Sequence, residues 1–274
     1  MRFADDSQSV LPEARRQPPA ADIVYASVAQ MHQQLISVIP GGRFLCQDGA
    51  FAYMTGMPAA MLNGVWLERP DPEVNAVLSL LDEVSRMRLP YTLRLRPGTS
   101  ERLAQLAAGR GMERKEDRVL EAADLAGTSD ALAADAAPPL PDFAIRRLPP
   151  GQVARHAAVL AAAHAVDEDT LSRTLRPDLL RPSTVCCYIG EIDGQPVTTA
   201  ISVTLGAFTG IFNMATVPAV GNLGLVSAVI ARALADSRAN GSQWCWLEAD
   251  ASRSRTFSRL GFHAIEQQQH WLFR

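Results

Sequence analysis

The chain has almost no lysine: Lys115 stands alone against 25 arginines in 274 residues. A bias this lopsided reflects codon usage more than function. Charge of either sign is not concentrated anywhere, and the net charge is only −3. That excludes an extended surface for nucleic acid or for an anionic membrane. No stretch approaches the ~18 consecutive apolar residues of a membrane span. The N-terminus is polar and acidic (Asp5, Asp6) and has no apolar segment of the kind a signal peptide carries. The four cysteines, Cys46, Cys186, Cys187 and Cys245, show no CxxC spacing. Adjacent Cys186 and Cys187 point to opposite faces of an expected strand, which suits neither a zinc site nor an easy disulfide. Reduced cysteines in the core of a cytoplasmic protein without a metal are therefore expected. What the chain does have is 47% hydrophobic residues, enough for a sizeable core, and a length that admits one large domain or two ordinary ones.

Composition divides the chain. Residues 1–21 are rich in Pro, Arg, Gln and Ala without periodicity and read as a tail. Residues 127–141 are small, polar and Pro-rich and read as a linker. Two parts remain, 22–126 and 142–274. FLCQDGAFAYM in the first and CCYIGEIDGQPVTTAISV in the second each read as two strands around an Asp-Gly turn, Asp48-Gly49 and Asp193-Gly194. VWLERP is then matched by IFNMATVP, an apolar strand ending at a proline. Each is followed by a helix (Glu73–Arg86; Leu223–Ala239), a strand (YTLRLR; QWCWLEA), a second helix (Glu101–Arg110; Ser252–Leu260), a Gly-Met or Gly-Phe pair, and a final strand that closes each part. Gly49 to Gly194, Pro70 to Pro218 and Gly111 to Gly261 are separated by 145, 148 and 150 residues. Three landmarks in one order at nearly constant offset indicate a duplicated domain. The second copy is longer at its front, with helices expected over Gly151–Ala163 and Asp169–Leu175. The first of these carries the stripe Val153, Ala157, Leu160, Ala161 and His164. The implied fold class is α/β, a mixed sheet flanked by helices on both faces.

The richest segment for chemistry is IFNMATVPAVGNLGLVSAVIARALADSRANG. An apolar strand runs to Val217-Pro218, a Gly-containing loop follows, and a helix opens near Leu223 and stops at Asn240-Gly241. The first N–H groups of a helix lack internal partners and sit at the positive end of its dipole, so a phosphate fits there. A strand that stops at Pro218 can splay from its neighbour and leave backbone groups free for an extended ligand. A lone Gly-x-x-Gly is equally the mark of a plain strand-to-helix turn. Elsewhere, His164 on its apolar stripe reads as a core or domain-contact residue. His263 and His270, seven apart on one strand, point to opposite faces and share no metal. Trp244 and Trp246 read as core, and Glu248 shares their face.

With those residues in view, the second part resembles the GNAT superfamily, the GCN5-related N-acetyltransferases. The resemblance rests on IFNMATVP, VGNLGLVSAVIARALADSRANG, WCWLEA and FSRLGFHAIE, and covers about 143–274. The first part resembles the same fold more faintly over about 22–125. The layout is similar to bacterial tandem GNAT proteins with a degenerate N-terminal copy. It implies two GNAT folds, each a mixed, mostly antiparallel sheet with flanking helices, and acetyl-CoA or another acyl-CoA as co-substrate. Pantetheine would pair with Met214, Ala215, Thr216 and Val217. The pyrophosphate loop would run from Gly221 through Asn222, Leu223, Gly224 and Leu225 to Val226. The first copy's equivalent loop, Glu68–Val74, has no glycine and three carboxylates, which implies a structural or substrate-shaping role.

This sequence departs from the family pattern in three places. No arginine lies between Pro218 and Arg232, and Val226 stands where the family has a small residue. At about 1.5–3 kcal/mol per charge-assisted hydrogen bond, losing one or two arginines weakens binding by about 10- to 1000-fold. Phe257 occupies the position of the family's tyrosine acid and has no proton to give, although it still belongs to the expected cofactor wall. Asn213, Asp250 and Ser254 are the polar candidates for catalysis, and Asp250 is as readily an N-cap for the helix after it. The resemblance implies an acyl-CoA-dependent N-acyltransferase in which a small-molecule amine attacks the thioester directly, in a monomer or homodimer. The alternative is a GNAT-fold protein that has lost acetyl transfer and binds another ligand or performs a different reaction in the same cleft.

Overall fold

The computed structural model describes residues 19–128, 140–221, 223–254 and 256–274, with backbone alone at 173 and 174. The expected tail over 1–21 lies outside the described residues as far as residue 18, and residues 129–139 of the expected linker lie outside them too. The described chain begins with a helix that the sequence reading missed, α1 (Ala21–Ser37), whose Val24, Tyr25, Val28 and Met31 are buried at helical spacing. The first part therefore has a front helix of its own, while the second is the longer at its front, with a strand and two helices ahead of Val185.

The strands of the first part are β1 (Arg43–Gln47), β2 (Ala50–Met54), β3 (Asn63–Leu67), β4 (Tyr91–Leu95) and β5 (Glu113–Asp124). Its other helices are α2 (Val74–Ser85) and α3 (Glu101–Gly109). The second part supplies β6 (Phe143–Arg147), β7 (Val185–Ile192), β8 (Gln195–Leu205), β9 (Phe208–Thr216), β10 (Trp244–Asp250) and β11 (His263–Phe273). Its helices are α4 (Val153–His164), α5 (Glu168–Thr174) and α6 (Leu225–Ala239). Both Asp-Gly pairs make the expected hairpin turns with positive φ at each residue, 31° and 85° at Asp48-Gly49 and 51° and 77° at Asp193-Gly194. The helix expected over Ser252–Leu260 is absent. Two short 3-10 turns, Ala251–Arg253 and Ser258–Leu260, stand in its place.

All eleven strands join one sheet in the order β1-β2-β3-β4-β11-β5-β10-β9-β8-β7-β6. Only β3–β4 and β9–β10 are parallel. The centre of this order overturns the expectation that a final strand closes each part. Strand β11 pairs with β4 of the first part, and β5 pairs with β10 of the second. The two final strands are exchanged, and they also pair with each other across two register shifts. Alternation and turn signals mark where a strand lies but not which edge it joins, so the exchange left no trace in the sequence.

Helices cover both faces. One apolar layer packs α1, α4 and α5 against Phe51, Tyr53, Trp66, Leu120, Cys187, Ile201 and Trp246 and so runs beneath both parts. On the opposite face α6 packs against Cys186, Ala200, Cys245 and Leu247, while α2 and α3 pack against Ala52, Val65 and Leu93. Cys186 and Cys187 point to opposite faces, as expected of strand neighbours. Among the described residues no helix is long and apolar enough to cross a membrane.

Candidate functional site

Strands β9 and β10 run side by side only from Phe208↔Trp244 to Ile211↔Leu247. Beyond that point β9 continues to Thr216 and β10 to Asp250 without pairing each other, leaving a V-shaped opening with free backbone on both arms. A bulge helps to turn β9 away. Its pairing with β8 steps from Ile201↔Phe212 to Thr199↔Ala215, so Asn213 and Met214 together oppose Ala200. Asn213 takes a left-handed φ of 50° there, a conformation asparagine tolerates better than most residues.

A cavity of about 530 Å3 fills the V. Met214, Ala215, Thr216 and Val217 line one side; Gly221, Leu223, Gly224, Leu225 and Val226 form its loop end; Phe257 lies on its wall. All but one of the residues that the sequence assigned to a cofactor thus surround one space, and the exception, Asn222, lies outside the described residues. Gly224 is the N-cap of α6 at φ 73°, and Gly221 sits at φ 65°, ψ −158°. The loop therefore uses conformations that only glycine adopts cheaply, and they turn the chain so that the start of α6 points at the cavity. Val226 leaves the expected apolar stripe, which opens with Leu225 instead, and is half-buried at the cavity wall.

The expected catalytic residues do not gather there. Asp250 lines the cavity, but its carboxylate is ion-paired with Arg118 and caps no helix. Ser254 is not part of the wall. Asn213 faces a different cavity, described below. Phe257 is buried against Phe262, ring centroids 6.3 Å apart, with no hydroxyl to offer.

Three titratable wall residues were missed by the sequence reading. Arg118 arrives on the exchanged strand β5, 132 residues from its partner Asp250; no local spacing could reveal it. Arg253, exposed, brings a cation to the cavity from the turn after β10. His164, read as a core or domain-contact residue, is exposed at the end of α4 and lines the cavity with Arg118 of the first part, so it is not a core residue.

Behind Asp250 lies a buried charge network. Glu248 receives Arg94 Nε at 2.7 Å and faces Arg118 Nε at 3.3 Å. Burial pushes the Glu248 carboxyl up, but the two guanidinium groups outweigh it and hold the group at about 2. Burial also opposes charge on Arg118, and Glu248 and Asp250 prevail. Glu248 is therefore a permanently ionised structural anion at neutral pH, and Arg94 ties it to the first part.

Across the equivalent gap of the first part, Arg96 Nη1, just beyond the end of β4, donates to the Glu68 carbonyl just beyond the end of β3. Among the described residues no group of three or more His, Cys, Asp or Glu could hold a metal ion.

No protein-family model matches the sequence, and a search of curated proteins finds no match. Solved structures do match. A GCN5-related N-acetyltransferase from Kribbella flavida superposes with a TM-score of 0.60 at 18% identity, covering 92% of this chain and 94% of that one. A GCN5-related N-acetyltransferase-like protein from Streptococcus suis gives 0.57 at 14% identity, covering 91% and 98%. A tandem GNAT protein from the clavulanic acid biosynthesis pathway gives 0.55 at 12% identity, covering 95% and 90%. Both parts of the chain are spanned in each case, so this protein has the GNAT fold in a two-domain arrangement.

Proposed function

We propose that this protein is an acyl-CoA-dependent N-acyltransferase, with acetyl-CoA as donor and a small-molecule amine as acceptor. The observation that carries the reading is the V between β9 and β10, whose cavity ends at the glycine loop and the start of α6. Pantetheine would pair with the free backbone of Met214–Val217. The loop amides and the α6 dipole, with Arg253 at the rim, would hold the pyrophosphate. With Phe257 in place of an acid, the chain's contribution is to hold donor and acceptor together and to polarise the thioester carbonyl through backbone N–H groups at the bulge. The first part shapes the acceptor side and contributes no second donor site.

Phe257 and the arginine-free loop favour a second reading, a GNAT-fold protein that has lost acetyl transfer and takes another ligand in this cavity. Calorimetric titration with acetyl-CoA and CoA separates the two, with Gly224→Trp as the control. Micromolar binding abolished by the tryptophan is expected. No heat at millimolar acetyl-CoA would sink the first reading.

A further inference from the structure

On the far side of the β9 bulge lies a second, smaller cavity of about 70 Å3, between the two parts. It is walled by α1, by β2 and the segment after it, and by Phe212 and Asn213 of β9. Consecutive residues of one strand thus line the two cavities: Asn213 this one and Met214 the donor cavity. The two cavities flank one bulge.

The chemistry of the wall is specific. No residue lining it carries an acidic or permanently cationic side chain. Most are aliphatic or aromatic, including Leu35, Ile36, Leu62 and Leu179. Two of its polar groups are committed within the protein: Tyr53 Oη donates to the Met61 carbonyl at 3.3 Å, and Thr55 Oγ1 lies 3.4 Å from Asn63 Oδ1. His32 is different. Its Nδ1 lies 2.8 Å from the Val28 carbonyl. A carbonyl only accepts, so Nδ1 carries the proton and Nε2 keeps a lone pair. The imidazole is held in a cage of rings, with centroids of Phe51, Tyr53, Trp66 and Phe212 at 5.4, 4.8, 5.3 and 5.3 Å. Burial lowers its pKa to about 4, so the ring is neutral at physiological pH.

We infer that this cavity seats the acceptor of the proposed reaction, that the acceptor is a small, uncharged, largely apolar amine such as an arylamine, and that His32 Nε2 accepts the hydrogen of its attacking nitrogen. An ammonium ion would enter a wall without a carboxylate and lose its hydration uncompensated, which is costly. A neutral amine loses little and gains an acceptor at Nε2. At about 70 Å3, about half the ~150 Å3 of an apolar cavity that holds benzene, the cavity seats the amino group and part of the ring, with the rest lying toward the exposed Met61. As the new C–N bond forms, the thioester C–S bond breaks and its electron pair leaves with sulfur. The proton released by nitrogen passes through His32 to that sulfur, giving the free thiol, so no further reactant is needed. His32 thereby serves in the absence of an acid at Phe257.

The inference rests on the donor reading above, and the test keeps the two apart. Acetyl-CoA binding is measured by calorimetry, and acetyl transfer is assayed with aniline against spermidine and lysine, for wild type, His32→Phe, His32→Gln and Met61→Trp. Phenylalanine preserves the ring cage, glutamine restores an acceptor, and Met61 is 44% exposed at the cavity, so its replacement spares the core. The expected result is preference for aniline and a loss of kcat of about 100-fold or more in His32→Phe, with partial recovery in His32→Gln. Acetyl-CoA affinity should be unchanged throughout, and Met61→Trp should raise the KM of aniline alone. Acetyl-CoA binding with preference for the charged amines, or with full activity in His32→Phe, overturns the inference and leaves the donor reading standing. If His32→Phe fails to fold, an unchanged aniline KM in Met61→Trp overturns it. Absence of acetyl-CoA binding overturns both.

Discussion

Glu121 should make the protein less stable as pH rises through neutrality. It lies in β5 at the centre of the sheet, opposite Leu247 on one side and Ala264 on the other. The residue is 1% exposed, and neither carboxylate oxygen has a hydrogen-bond partner. Its strand neighbours on the same face, Ala123 and Leu125, belong to the layer under α6. With no cation nearby among the described residues, burial alone raises the carboxyl from 4.5 to about 7. A folded pKa above the unfolded one means that the folded state holds its proton longer. The stability this gives is complete below about pH 4.5 and is lost as pH rises through about 7. A shift of this size corresponds to about 3 kcal/mol. Glu121→Gln keeps the shape and cannot ionise. The gap in unfolding free energy between the variant and wild type, from urea denaturation at a series of pH values, should therefore widen in the variant's favour by about 3 kcal/mol between pH 4.5 and 8. The other carboxylates, Glu248 included, titrate alike in both proteins and cancel. A gap that stays constant with pH would show that Glu121 is paired or hydrated in solution and would refute the reasoning.

Two further outcomes follow from backbone and topology. Gly221 has no atom within 4 Å of where a Cβ would stand, yet its φ of 65° and ψ of −158° lie in territory open essentially to glycine alone. Gly221→Ala should cost about 1–3 kcal/mol through conformation without any clash, read as a lowered Tm together with weaker acetyl-CoA binding; an unchanged Tm would show that the loop relaxes freely. Because β11 lies between β4 and β5, residues 1–128 and 129–274 produced separately should be insoluble or unfolded. The two segments produced together should recover as one complex, and a stable, monomeric second segment would contradict the exchanged pairing.

Local signals carried the sequence reading far where the structure depends on neighbours in the chain. The Asp-Gly turns, the amphipathic α6 and the glycine loop are set by φ preferences and by a period of 3.6, and each appears where those rules place it. The cavity wall was legible for the same reason, since Met214 to Val226 is one continuous segment. Most of the failures are long-range, the helix expected over Ser252–Leu260 being a local one. Arg118 reaches Asp250 only because β5 crosses into the second part, and Arg94 reaches Glu248 only because β11 lies beside β4. Helix α1 carries the same period, through Val24, Tyr25, Val28 and Met31; what the sequence does not show is that this face opposes strands of both parts. His164 sits at the last position of an otherwise buried stripe, and periodicity cannot tell the end of a helix from its middle.

The exchange of strands also bears on why a first copy with a closed loop would persist. Arg96 spans the corresponding gap of the first part by reaching the Glu68 carbonyl, but β5 borders β10 along its whole length from Trp244 to Asp250. The free arm of β10 in the V is thus held from behind by the first part, and Glu248 and Asp250 on that arm are both ion-paired to arginines from the first part, Arg94 and Arg118. A buried pair of this kind adds little net stability compared with apolar packing, but losing one partner strands a charge at a cost of about 3–5 kcal/mol. The arrangement fixes the angle of β10 against β9 and makes the opening a property of the two parts together, which a single copy with its own final strand would not reproduce.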